Sequence, residues 1–291
     1  VTLQHFPLIG SVSPLSTYLG PIFYYFGALI LFLSGLNPIG QGIFGIILGS
    51  INIFLIYFIV TRLFSKNIGL IAALLYSFSF LQILFDRRYW HLTPGPFLSL
   101  LVLYSLYKIK KGSLKFIYLL TGALIFGWNT DYTNLVLFLF VFLAWIIFKL
   151  PIKKKEVLFA VILFSFSNLP LVVFDLRHDF LNFKAITALL TKGGIVRADL
   201  FSNIARIPEL YSYNLIGRYM VGENSILLVI ISILVLLPLV KFFVNWPLLA
   251  LGVWLIIGLF GLSFYQQDIY DHYLGFMNSV PFLLLGSLAS I

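Results

Sequence analysis

The side chains able to do chemistry gather in four short runs. The first is Asp86-Arg87-Arg88-Tyr89-Trp90-His91. Two adjacent guanidinium groups bind phosphate or pyrophosphate oxygens bidentately. The same arginines, with Tyr89 and Trp90 beside them, also fit an anchor on lipid headgroups. The second run is Trp128-Asn129-Thr130-Asp131-Tyr132, a polar turn in which Asp131 is placed to cap the helix that follows. The third is Asp175-Leu176-Arg177-His178-Asp179-Phe180. If it is helical, Asp175, His178 and Asp179 share a face at spacings of three and four, suited to substrate contact or a divalent metal. One His with two carboxylates lacks a fourth metal ligand, and an Asp–Arg network that positions a loop is the competing reading. The fourth run holds Asp268, Asp271, His272 and Tyr273. It could supply a base or bind a sugar hydroxyl, or place acids at a helix start where the dipole favours them.

These runs are few because the chain is 61% hydrophobic and 10% charged over 291 residues, with a mean hydropathy of +1.04. A soluble globular chain carries about 25% charged residues, so polar surface is too scarce here for a water-soluble particle. The expected fold class is therefore all-α, a polytopic transmembrane bundle. A spanning helix needs about 17–25 apolar residues. Nine runs qualify or nearly do: 41–61, 68–85, 94–107, 116–128, 132–148, 157–174, 225–244, 247–265 and 273–291. The pattern Gly42-x-x-Gly45-x-x-x-Gly49 in the first of these allows close packing.

Lys and Arg in short links mark the cytoplasmic side. The links holding Arg62 and Lys66, then Lys108 to Lys115, then Lys149 to Lys155, and finally Lys241, contain 11 of the 19 basic residues and one acid, Glu156. The formal charge of +9 is thus a topology signal rather than a nucleic-acid footprint. This orientation puts all four reactive runs outside. It also leaves the apolar run 21–36 starting and ending outside. That run is expected as a juxtamembrane or re-entrant helix, opened by Gly20-Pro21 and closed by Gly35 and Asn37-Pro38. Four regions follow: an external segment 1–40, a first membrane part 41–174, an external loop 175–224 and a last membrane part 225–291. In the loop, Gly193-Gly194 is expected to break the chain, Asp199 to cap a helix and Pro208 to interrupt it, giving short helices on the membrane surface. No cysteine is present. No phosphate-binding Gly-rich loop, dinucleotide fingerprint, His-Glu-x-x-His or Gly-x-Ser-x-Gly appears.

The order of several stretches resembles the GT-C superfamily of polyprenyl-phosphate-dependent membrane glycosyltransferases, in particular relatives of the protein O-mannosyltransferases and aminoarabinose transferases. They are Gly20-Pro21-Ile22-Phe23-Tyr24-Tyr25 with Asn37-Pro38, then Arg62-Leu63-Phe64 with Gly69, then Arg87 to Pro94 with Pro96-Phe97, then Phe174 to Asn182 with Lys184-Ala185. Asp271-His272-Tyr273 with Pro281 adds a weaker likeness. The resemblance implies transfer of a sugar from a polyprenyl-phosphate donor to a protein, lipid or glycan acceptor at the outer face of the cytoplasmic membrane. It implies inversion at the sugar carbon and leaves room for a divalent metal. Tyr24, Asp86, Arg87, Arg88, His91, Asp131, Asp175, Arg177, His178, Asp179, Asp271, His272 and Tyr273 become candidate substrate contacts. The family's acidic pair follows its first membrane helix. Residues 1–20 hold no Asp or Glu, so that pair is expected upstream of Val1. A transporter or lipid flippase is the alternative. It predicts ionisable groups within spans and internal repeats, whereas the spans carry Asn52, Gln82 and Asn168 but no carboxylate. A non-catalytic subunit of an envelope complex is a third reading.

Overall fold

The computed structural model describes residues 6–13, 16–192, 199–222, 224–241, 243–265 and 268–290. Among them the architecture is helical throughout, with one isolated bridge between Val12 and Tyr18. The expected all-α class is what the chain adopts.

Helix α1 (Ile22–Leu33) follows Pro21, whose ring fixes the backbone for a first turn. It ends at Ser34, and Gly35 and Leu36 then take positive φ angles of 64° each. Its 12 residues reach only about 18 Å, too short for a bilayer core of about 30 Å. The run 21–36 is thus a short helix, as expected. It packs against α2 (Ile39–Leu63) and α6 (Phe116–Thr130).

Among the described residues, three helices are long and apolar enough to cross a membrane: α2, α8 (Lys154–Arg177) and α12 (Trp246–Ser263). The number rises to five if two bent pairs each count as one span. Expected runs 94–107, 116–128 and 132–148 fold as α5 (Gly95–Lys110), α6 and, after a short 3-10 turn at Tyr132–Asn134, α7 (Leu135–Ile147). At 16, 15 and 13 residues these helices are shorter than a full span. Leu158, Ile162 and Phe166 of α8 are exposed, as side chains facing lipid would be. The core lies between α5, α7, α12 and the terminal helix α13 (Val280–Ser287), where Trp254 is fully buried and stacks on Phe140 at 5.5 Å.

The run 68–85 breaks into α3 (Lys66–Ser77) and α4 (Phe80–Asp86), which meet at 72°. Ser79 is the cause. Its hydroxyl caps α4 by accepting from Gln82 N and donates to the carbonyl of Tyr219 at 2.7 Å. A Ser oxygen that captures backbone groups this way starts a new helix.

The loop 175–224 is more helical than its composition suggests. Helix α9 (Leu181–Lys192) follows α8 directly, and Gly193-Gly194 lies outside the described residues. Asp199 caps α10 (Leu200–Glu209) as expected, accepting from Phe201 N and Ser202 N at 3.2 Å. Pro208 does not interrupt it. The chain continues in a wider π-type helix over Leu210–Val221 and stops at Gly222, φ 70°. Proline removes one backbone donor, the one that would have met the Ile204 carbonyl a turn earlier, and the helix continues past it. Helix α11 (Ser225–Leu236) then turns back along it.

Candidate functional site

Two of the four reactive runs converge, and the π-type segment completes them. A cavity of about 630 Å³ opens between the end of α4, the turn after it, the π-type segment and the 3-10 turn Asp271–Leu274. Phe80, Leu81, Leu84 and Phe85 form an apolar wall. Arg88, Arg218, Asp271 and His272 supply the polar side, with Trp90 and Tyr270 between. The turn after α4 is fixed by Thr93, whose hydroxyl donates to the Arg88 carbonyl at 2.8 Å and accepts from Trp90 N.

Arg218 forms a bidentate pair with Asp271. Nε donates to Oδ1 at 2.9 Å and Nη2 to Oδ2 at 2.7 Å. The neighbouring Tyr219 hydroxyl donates to the Asp271 carbonyl at 2.7 Å. The π-type segment therefore grips the turn before α13 from two adjacent residues. Arg88 differs: it is exposed, and among the described residues no hydrogen bond or ion pair holds its side chain. A planar five-donor cation at a cavity mouth with an apolar wall below suits a phosphate attached to a hydrocarbon chain.

Trp90 and His272 pack with ring centroids 4.6 Å apart, and Tyr270 lies parallel to His272. Burial, reinforced by nearby His272, lowers His91 to about 4. Burial lowers His272 too, against the opposing pull of Asp271. His91 is therefore neutral at pH 7 and presents one donor and one acceptor rather than a charge.

Behind the cavity runs a buried polar chain. Asn278 Nδ2 donates to Gln82 Oε1 at 2.5 Å, and Gln82 Nε2 to Asp86 Oδ1 at 2.7 Å. Asp86 is thus turned away from the cavity, towards α2. A Cβ on Gly49 would sit 2.4 Å from Asp86 Oδ2, and one on Gly45 2.6 Å from the Asp86 carbonyl. The glycine pattern of α2 therefore admits the end of α4.

The other two runs meet elsewhere and tie down the segment before α1. Asp131 caps the following turn by accepting from Thr133 N at 2.5 Å, and burial raises its pKa. Tyr132 donates to the Tyr18 carbonyl, Tyr18 N to Asn182 Oδ1, and Asn182 N to Asp175 Oδ1. Asp175 also accepts from Phe183 N, so its carboxylate caps α9. Gly20 has no room for a side chain, because a Cβ would lie 1.6 Å from Asn129 Oδ1. Asp175, His178 and Asp179 do not share a helical face. Helix α8 ends at Arg177, Asp179 takes φ 52°, and the His178 ring stacks on Phe174 at 4.1 Å. Among the described residues no three His, Asp or Glu groups are set to hold a metal ion. Arg177 and Asp179 are exposed and stand outside the cavity, as does Arg87. Tyr24 is 45% exposed on α1, and Phe23 beside it is the residue that stacks on Tyr89, at 4.8 Å. Tyr273, buried, packs on His272, with Asp131 within electrostatic reach.

Replacing Asp175 by Ala removes both acceptors at the start of α9. The expected cost is about 1 kcal/mol of stability, read as a lower unfolding temperature in detergent, with the cavity's ligand binding little changed. An unchanged unfolding temperature counts against the capping role.

Arg218 is the residue that sequence reasoning missed. It sits in a stretch whose apolar spacing fits neither a strand nor a regular α-helix. The pair Arg218-Tyr219 between Gly217 and Gly222 is the one local signal.

Comparison with known proteins adds one finding. A family model described as dolichyl-phosphate-mannose-protein mannosyltransferase matches residues 18–173, more than half of the chain. The match includes Arg88 and Trp90 but stops before Arg218 and Asp271. No curated protein and no solved structure matches the chain.

Proposed function

The chain belongs to the dolichyl-phosphate-mannose-protein mannosyltransferase family, a membrane glycosyltransferase of GT-C type, and from that premise we propose that its cavity binds a polyprenyl-phosphate sugar and passes the sugar to an acceptor at the outer face of the cytoplasmic membrane. One observation carries the reading: the same cavity joins an apolar wall, Phe80 to Phe85, to two guanidinium groups, Arg88 and Arg218. The wall suits the first isoprenoid units and the guanidinium groups suit the phosphate.

In this reading the acceptor hydroxyl attacks the anomeric carbon, the bond to the lipid phosphate breaks, and one displacement inverts the configuration. Negative charge grows on the departing phosphate, and cations already placed there stabilise it without rearranging. Arg88 is the exposed contact and Arg218 the one held by Asp271. His272, packed against Trp90, offers a hydrogen-bonding group next to the phosphate. Asp86, Asp131 and Asp175 all have their carboxylates engaged in hydrogen bonds, so none is assigned as the base.

Membranes carrying Arg88→Ala are expected to transfer sugar from a polyprenyl-phosphate donor about 10- to 100-fold more slowly, the worth of one charge-assisted contact. Arg87→Ala, outside the cavity, should stay within about threefold of wild type. Equal rates for Arg88→Ala and wild type would remove the phosphate assignment.

A further inference from the structure

We propose that the basic end of the bundle, where the α5–α6 and α7–α8 links meet, is a headgroup site for an anionic phospholipid centred on Lys110. Lys110 Nζ sits 5.3 Å from the ring centroid of Phe148 and 5.6 Å from that of Trp246. Trp246 stacks on Tyr107 at 5.8 Å and meets Phe148 edge-on at 5.9 Å. The ammonium is thereby held where the end of α5, the end of α7 and the start of α12 come together. Lys108 is seated in the same way, 5.3 Å from Phe116 and 5.8 Å from Tyr104. Ring faces attract a cation and order a flexible four-carbon stem, which lowers the entropy lost when an anion is then bound.

The surroundings are strongly positive. Residues 108–115 and 148–155 contain eight lysines and no Asp or Glu, and Glu156, next in the chain, is buried. Among the described residues none of these eight lysines forms an ion pair. Three of them, Lys153 to Lys155, open α8 with no side-chain cap. Cations at a helix N-terminus oppose the helix dipole, and against these three lysines the first turn of α8 sets a single acid, Glu156. Membrane orientation alone needs positive links; it does not need ammonium groups seated on aromatic faces.

A lipid fits better than a free anion because apolar surface continues from the same place. Ile146 and Ile147 close α7 beside Lys149, and both are exposed, as are Val157 and Leu158 in the first turns of α8. Acyl chains would run along that surface while the phosphodiester meets Lys110. Clustered lysines next to a membrane helix attract anionic lipid.

The test uses the full chain purified in a neutral detergent. Phosphatidylglycerol and phosphatidylcholine are titrated separately, and bound lipid is read by native mass spectrometry alongside the unfolding temperature. Phosphatidylglycerol is expected to bind at least about tenfold more tightly and to raise the unfolding temperature. The triple variant Lys108→Ala, Lys110→Ala, Lys111→Ala should lose about tenfold or more of that preference, whereas Lys184→Ala, on the exposed start of α9, should keep it. Equal binding of the two lipids to the wild-type chain overturns the proposal, and that comparison stands even if the triple variant fails to fold. Displacement of phosphatidylglycerol by equimolar inorganic phosphate also overturns it, since the site would then be one for a free anion. None of these readings depends on sugar transfer.

Discussion

Arg218→Ala is expected to lower sugar transfer about 100-fold, more than any other single change at the cavity. Two losses add in this variant. The cavity gives up a guanidinium positioned for the leaving phosphate, and Asp271, with its side chain only 19% exposed, keeps a carboxylate with no cation beside it. Such a carboxylate repels the phosphate, whereas in the wild-type chain its charge is met by Arg218. Asp271→Asn makes the contrasting case. It retains an acceptor for Arg218 and leaves the cation in the cavity, so a fall of about tenfold or less is expected. Arg218→Lys should not restore transfer, because an ammonium cannot form two parallel hydrogen bonds with a carboxylate. Initial rates in membranes with saturating and limiting donor separate the two roles. Loss of donor binding raises KM, whereas loss of charge stabilisation during bond breaking lowers kcat. Transfer by Arg218→Ala within about threefold of wild type would show that the phosphate lies elsewhere.

The second large effect concerns the backbone of the same site. Gly45→Ala on α2 is expected to destabilise the protein by about 1–3 kcal/mol, because overpacking against an immovable neighbour costs that much. The new Cβ would meet the Asp86 carbonyl at 2.6 Å and the Arg88 carbonyl at 3.4 Å. Backbone atoms cannot rotate away as a side-chain tip can. The turn carrying Arg88 must therefore shift, and transfer should fall together with stability. Gly42→Ala, one helical turn earlier, is the internal control. Among the described residues nothing lies within 4 Å of its Cβ position, so the helix gains about 0.5–1 kcal/mol from a better helix former. Unfolding temperatures in detergent should move in opposite directions. If the two variants unfold at the same temperature, the close approach of α4 to α2 is not what the glycine serves.

Local signals in the chain were legible where the physics is local. Asp131 and Asp199 could be read as caps because a short carboxylate before an apolar run satisfies the first free N–H groups whatever the rest of the fold does. The short α1 could be read from Pro21, Gly35 and Pro38, each of which constrains its own backbone. In the third run the helical spacing does not continue past Arg177. A stacked His178 and the positive φ at Asp179 end the helix there instead. The break between α3 and α4 was hidden within one apolar run, since Ser79 acts through a partner, Tyr219, 140 residues away. The meeting of Arg88 with Arg218 and Asp271 depends on such long-range contacts as well. Periodicity carries no information about them. The π-type segment that presents Arg218 has no simple repeat to read, because its spacing is that of neither α-helix nor strand.

The hydrogen bond from Asn278 to Gln82 joins positions 196 residues apart. That separation has a consequence for biogenesis. As the chain is made and inserted from its N-terminal end, α4 is in place long before the turn preceding α13 exists. A partly synthesised chain holds the apolar wall and Arg88 but lacks Arg218, Asp271 and the buried tie that fixes the end of α4. It lacks the closed cavity. The cavity comes into being only when the segment carrying Tyr270, Asp271 and His272 docks, so under the proposed function a chain cut before that segment is expected not to hold the donor lipid.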